Sequence, residues 1–477
     1  MKHNEDTIGL AYDYVLVMSK KKRYNAQTAA NYNYLNRIGK KKAIQIIQSK
    51  ENIFYDTYEP WIVKDFVYKN DYFTPRNMYL INPLYYLYYT YLVFEISSLF
   101  LNRRSKLDFS RENMSIFYSG TLNLNTRKSE IKKYALFNHS YSRFQQKRKE
   151  YFGKPVLKID IQNFFQNIKI NRLILKLREL YGNRSIINEL ELFFRRCKFD
   201  TLPQLHYSIA SSILSQFYLQ EFDDRMDELL TDEQLFLIRF VDDMYLVHLN
   251  GTGEIKKNNN ILNQLSYFLW EDELALNTSK TKMLSVEEYQ NDYETSKSEY
   301  DDVRSFSTEK IIDEKTTRIL EDGSFICFIK ELCELEKVKG IDLLEYKKLM
   351  VEYLSVEGED ANKVLNNLVF SNKWKNMSDR DLKKIIYNWK YILFNPSVFT
   401  VLYIFIYEFL EKKGVIKDNG KKIKRILNYL FQNKLFTFRD TLIAVSYLFQ
   451  RNFEHRDLLK KIEGVNPVYV KFVDKYI

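Results

Sequence analysis

"IRFVDDMYLV", residues 238–247, sets two adjacent carboxylates, Asp242 and Asp243, inside an apolar run that otherwise reads as two short strands. An unpaired ionised carboxylate in a buried position costs several kcal/mol. Either the pair lies at a solvated hairpin turn, or a positive charge meets it there. A partner lies upstream in "KPVLKIDIQNFFQNI" (154–168), where Asp160 closes an apolar strand and is followed by Phe164 and Phe165. If that strand lies beside the hairpin "LFLIRF"–"MYLVHL", Asp160 and Asp242 converge at one edge of a sheet. Carboxylates brought together repel unless a cation neutralises them. An all-oxygen set without His or Cys points to Mg²⁺, with Mn²⁺ as an alternative, and suits phosphoryl or nucleotidyl transfer.

The surrounding segments alternate. "NRLILKLREL", "SIASSILSQFYLQEF" and "NNNILNQLSYFLWEDE" carry helical periodicity, and "LALNT" (274–278) reads as a short strand. The aromatic stretch 78–101, "MYLINPLYYLYYTYLVFEISSLFL", holds Pro83, Glu95 and six tyrosines whose hydroxyls need partners. It reads as a buried helix, not a membrane span. Residues 286–316 are acid-rich and read as a linker or exposed connection. Beyond 317 six segments, from "SFICFIKELCELEK" through "DLKKIIYNWKYILF" to "FRDTLIAVSYLFQR", read as helices that stack as repeats. Only 13 Gly and 7 Pro in 477 residues agree with long helices. Two domains are expected, 1–290 and 291–477.

A net charge of +11 favours a polyanionic partner. Three cysteines without CxxC spacing argue against a disulfide framework or zinc ribbon. With an opening stretch that lacks a secretory pattern, they point to a reducing cytoplasm.

Four elements occur in order: an Asp followed by two Phe, "LPQ" (202–204) ahead of a helix, the "VDD" hairpin, and "LALNTSKTK" (274–282). Over roughly residues 140–285 the sequence therefore resembles the reverse transcriptases, matching their motifs A to D. The resemblance implies an α+β fold: a right-hand palm of ferredoxin-like topology with fingers built from the preceding helices. It implies that Asp160, Asp242 and Asp243 hold metal and that Lys280 protonates or neutralises the leaving pyrophosphate. Phe165 falls at the steric gate that selects deoxynucleotides, and Gln204 falls beside the incoming nucleotide. Arg143, Lys147 and Arg148, just before motif A, are candidate triphosphate ligands.

Two departures stand out. Leu205 follows Gln204 where these enzymes commonly carry Gly, which puts bulk where a template passes. A helical half replaces an evident thumb. In both respects the chain looks like the abortive-infection (Abi) reverse transcriptases of bacterial anti-phage defence, which join a palm to a C-terminal helical-repeat (HEAT-like) domain. That resemblance implies template-independent DNA synthesis from dNTPs. The single-stranded product would stay covalently attached to a priming tyrosine, in a cytoplasmic homo-oligomer without a membrane partner. Among 37 tyrosines, Tyr12, Tyr14, Tyr24, Tyr32 and Tyr34 of the basic N-terminal region are the candidates. The alternatives are an RNA-templated enzyme of retron or group II intron kind and a catalytically silent nucleic-acid-binding scaffold. "RNFEH" (451–455) has too short a spacing for a helical RNase motif, and Lys421, Lys422, Lys424 and Arg425 form either a strand-tracking or a solvated helix face.

Overall fold

The computed structural model describes residues 4–477 except 22–25, 50, 69–74, 102–104, 136, 251–253, 300–309, 355–363, 366, 370, 419, 434–459, 461–462 and 464–466. Tyr24, the segment 438–451 and "RNFEH" lie outside the described residues. The chain forms two compact units, Met1–Lys297 with Phe472–Ile477, and Ser298–Lys471.

The first unit is mostly helical around a small mixed sheet. Strands β1 (Val63–Tyr68) and β2 (Pro75–Leu80) form an antiparallel hairpin. Five further strands follow: β3 (Met114–Phe117), β4 (Val156–Ile159), β5 (Leu235–Phe240), β6 (Asp243–His248) and β7 (Lys282–Leu284). They lie in the order β3-β5-β6-β4-β7, with β3 parallel to β5 and the other pairs antiparallel. Side-chain alternation gives the sheet two different faces. On one, the fully buried Arg239 of β5 forks onto Asp223 (2.5 and 2.8 Å) and Gln216 (3.1 Å) from the helices Gln220–Asp232 and Ile209–Tyr218. On the other, Phe240 and Tyr245 meet the rings of Phe137, Tyr141 and Phe144 on the helix Phe137–Lys149.

The aromatic stretch forms the helix Pro83–Phe100, capped by the Asn82 side chain accepting from Leu84 N (2.9 Å). It is buried nearly all round, and its tyrosine hydroxyls are satisfied. Tyr85 donates to Tyr58 O (2.6 Å), Tyr86 to His206 O (3.0 Å) and Tyr88 to Glu189 (3.3 Å), while Tyr89 pairs with Ser211 (3.1 Å). No helix among the described residues is long and apolar enough to cross a membrane.

Three expectations differ from the structure. "LALNT" forms no ladder: Leu276 makes a single bridge to Ile161, and the edge strand is β7 instead. Residues 286–299, read as part of a linker, form the helix Val286–Glu299, which spans residue 290 and buries Tyr289 and Tyr293. "DLKKIIYNWKYILF" is not one helix. It breaks at Asn388 between the helix Asp379–Tyr387 and the 3₁₀ turn Trp389–Phe394.

The second unit is entirely helical among its described residues. Lys310–Glu321, Ser324–Lys339, Leu343–Leu354, Asp379–Tyr387, Pro396–Lys412 and Lys421–Gln432 are its longer helices. Trp374 is buried among them and donates from Nε1 to Val369 O (3.0 Å).

Candidate active site

Asp160 directly follows β4, and the Ile159–Met244 pairing places it beside Asp243 at the start of β6. Phe240 pairs with Asp243, so β5 and β6 are joined by a two-residue turn, Val241-Asp242. Val241 sits at φ +57°, a left-handed conformation that a β-branched residue adopts only under strain. Its N–H donates to Phe117 O on β3 (3.0 Å) and its side chain is buried, which holds the turn and the Asp242 carboxylate in place. All three aspartates thus stand at one end of the sheet.

Their charges are incompletely neutralised. Burial, then Asp243 and Asp160, push the Asp242 carboxyl up to about 7, against an opposing pull from Arg76. Burial and Asp160 likewise raise Asp243, opposed by Lys158, Lys280 and Arg148. Asp160 is held differently. Its Oδ1 accepts from Asn277 Nδ2 (2.7 Å) and its Oδ2 from Lys280 Nζ (3.2 Å). Its backbone oxygen accepts from Asn277 N (2.8 Å), so the segment after the helix Ile255–Glu271 is fastened to the strand end.

No three Asp, Glu, His or Cys side chains among the described residues form a ready metal cage. The donor set nevertheless fits a hard divalent ion: oxygen ligands, two carboxyls raised by burial and by the neighbouring carboxylates, and the Lys280 ammonium standing on Asp160 as a resident cation.

The other expected residues divide. Phe164 is core, whereas Phe165, edge-on to it at 5.3 Å, is partly exposed on the short helix Phe164–Asn167 that follows Asp160. Gln204 is half-buried, and its backbone oxygen accepts from Tyr79 N of β2 (3.0 Å). Arg143 is exposed with its guanidinium 5.8 Å from the Phe117 ring centroid. Phe117 is the β3 residue paired with Phe240, so Arg143 stands at the carboxylate end.

Lys147 does not. One helical turn on, it binds Glu150 (2.7 Å) and lies over Tyr151 and Phe236. Phe236 is four residues back along β5, about 13 Å from Phe240 by strand rise. Arg148 is also spent elsewhere. It is fully buried, bonded to Asp292 (2.8 Å) and Gln145 (3.1 Å) and stacked on Tyr245 at 3.9 Å. Leu205, expected to stand in a template's way, is 4% exposed, packed into the core and bridged to Tyr79.

Four residues escape sequence reading. Asn277 sits inside the quoted "LALNT", and Lys158 lies two before Asp160 on the same strand face; both could be found by spacing. Asp292, partly buried against Lys158 (2.6 Å), Arg148 and Tyr245 (3.0 Å), is signalled only by flanking Tyr289 and Tyr293 at helical spacing. Arg76 of β2, whose charge reaches Asp242, has no local signal.

None of the curated proteins matches the chain. Residues 317–474 match a family described as "Domain of unknown function (DUF8609)". Residues 121–356 match the family "Reverse transcriptase (RNA-dependent DNA polymerase)", a span that contains Asp160, Gln204, Asp242, Asp243 and Lys280. The chain carries a reverse transcriptase domain, and with it the machinery of a nucleotidyltransferase of DNA-polymerase type.

Proposed function

We propose that the protein is a divalent-metal-dependent DNA polymerase that builds DNA from dNTPs without a template, starting from a tyrosine hydroxyl, in bacterial anti-phage abortive infection. The observation that carries the polymerase reading is the gathering of Asp160, Asp242 and Asp243 at one sheet end with the Lys280 ammonium on Asp160. Asp160, Asp242 and Asp243 would hold Mg²⁺, which when bound would supply activation of the attacking hydroxyl and neutralisation of the pyrophosphate. Lys280 is placed to give the leaving group a proton once it lets go of Asp160. Phe165 screens the sugar, Gln204 positions the nucleotide, and Arg143 with Arg76 supplies guanidinium charge for the triphosphate.

Protein priming and the anti-phage role rest on the resemblance to the Abi enzymes. Tyr12 and Tyr14 are poor primers, because both are buried and donate their hydroxyls to Leu35 O (3.0 Å) and Thr121 O (2.9 Å). Tyr32 and Tyr34 remain as half-exposed candidates. The helical unit serves as a repeat scaffold in a homo-oligomer.

One observation favours RNA-templated synthesis as a second reading. With Leu205 turned into the core, its bulk does not stand before the site.

The test is incubation with Mg²⁺ and labelled dNTPs, with and without an RNA template, followed by denaturing gels with protease or nuclease. Template-free label that migrates with the protein and disappears in Asp242→Ala supports the first reading. Label that appears only with template, free of protein, supports the second. No label under either condition sinks both.

A further inference from the structure

We propose that the helical unit carries its own single-stranded DNA site, made by the helix Lys421–Gln432 and the break between Tyr387 and Trp389. The helix is amphipathic. Ile423, Ile426, Leu427 and Leu430 are buried, while Lys421, Arg425 and Tyr429 at four-residue spacing face solvent. It contains four basic residues and no acidic one.

Two contacts pin it across the Asn388 break: Lys422 Nζ lies 3.5 Å from the Tyr387 ring centroid, and Trp389 meets Tyr429 edge-on at 5.6 Å. Tyr387 is 63% exposed and Tyr429 48% exposed. The adjacent carboxylate, Asp418, is already engaged by the Tyr407 hydroxyl and by Lys422 N (3.2 Å).

Exposed rings interleaved with basic residues suit a single strand: bases stack on the rings and phosphates meet the ammonium and guanidinium groups. A duplex hides its base faces and could use only the charges. An acidic protein segment would likewise use the charges and leave the rings idle. The choice of DNA over RNA rests on the polymerase reading above; the choice of a single strand does not.

The experiment uses the full chain carrying Asp242→Ala, so binding is read without synthesis and is independent of the labelling assay. Affinity for a fluorescent oligothymidylate is compared with that for a duplex of equal length, an oligouridylate and polyglutamate. A strand bearing 5-iododeoxyuridine is photocross-linked and the attached peptide mapped.

The site predicts cross-links at Tyr387, Trp389 or Tyr429. It predicts binding about tenfold weaker or more in Tyr387→Ala/Tyr429→Ala and near-native binding in the double Phe variant. Lys421→Glu/Arg425→Glu should flatten the salt dependence by about 0.7 in log–log slope per lost phosphate contact. Native affinity in the double Ala variant together with cross-links confined to residues 1–297 overturns the proposal. Equal binding of duplex or polyglutamate overturns the stacking role, and preference for oligouridylate overturns the choice of DNA.

Discussion

At the scale of single residues, Asp242 is a carboxylate buried at a cost in stability. Its carboxyl in the folded, metal-free protein lies at about 7, above the ordinary carboxylate range near 3.9. Between those values the folded state holds a proton that the unfolded chain has released. Raising the pH through that window therefore removes stability, and the loss levels off above about pH 7. Asp242→Asn should abolish synthesis yet raise the stability of chelator-treated protein at pH 8, by on the order of 1 kcal/mol or more. Urea unfolding at pH 5 and pH 8, with and without Mg²⁺, checks it. Mg²⁺ should restore the wild type and leave the variant unmoved; a variant less stable than wild type at pH 8 would refute the repulsion. Phe165 gives a second expectation at this scale. Partly exposed beside the buried Phe164, it can lose its ring without a core cavity. Phe165→Ala should incorporate ribonucleotides at least about tenfold more readily relative to deoxynucleotides, measured by competition; unchanged sugar discrimination removes the gate assignment.

At the scale of elements, the helix Val286–Glu299 governs the face of the sheet that carries the site. Its Asp292 accepts from Arg148, Lys158 and Tyr245, three groups that are otherwise buried or nearly so. Lys158 shares a strand face with Asp160, so Asp292 keeps its ammonium occupied away from the Asp160 and Asp243 carboxylates. Asp292→Asn leaves two cations short of a counter-charge and should cost about 3 kcal/mol or more of stability in chemical denaturation. It should also raise the Mg²⁺ concentration needed for half-maximal synthesis, because Lys158 then competes for Asp160 and Asp243. An unchanged Mg²⁺ requirement would leave Asp292 with a purely structural part. The β1–β2 hairpin is tied just as firmly: Tyr79 bonds to Gln204, and His206 Nε2 lies 2.8 Å from Asp65 Oδ2.

At the scale of the whole molecule, the first unit is built from two separate stretches of the chain. Residues Phe472–Ile477 belong to the first unit, although the residues before them belong to the second. Phe472, Val473 and Tyr476 are buried, Tyr476 meets Tyr34 edge-on at 5.5 Å, and Ile477 O accepts from Asn33 (3.2 Å). Lys475 Nζ lies 4.3 Å from the Trp61 ring centroid. Deleting residues 472–477 uncovers apolar surface on the N-terminal helices and should lower the unfolding midpoint by a few degrees. Faster limited proteolysis within the first 60 or so residues should accompany it. Equal midpoints and cleavage rates would show that this return is dispensable.

The strands β4, β5 and β6, the hairpin turn at Asp242-Asp243 and the helices Ile170–Tyr181, Ile209–Tyr218 and Ile255–Glu271 were legible because each is a local pattern. Alternation, helical periodicity and a costly acidic pair in an apolar run all lie within a dozen residues. The carboxylate cluster followed, because two strands ending in aspartate have few ways to pair.

What the sequence could not decide is where a side chain goes once distant segments meet. Leu205 turns inward because β2, more than a hundred residues earlier, bridges its backbone. Lys147 and Arg143 part company because their helix runs along β5, one turn reaching the carboxylate end and the next the opposite end of the strand. Residues 286–299 look like an acidic linker until Arg148 and Lys158 arrive to pair with Asp292. The sequence by itself determined which groups carry charge near one another along local patterns; the tertiary structure decided which of them are spent on partners, since partners for buried charge and surface for apolar rings come from elements far apart in the chain.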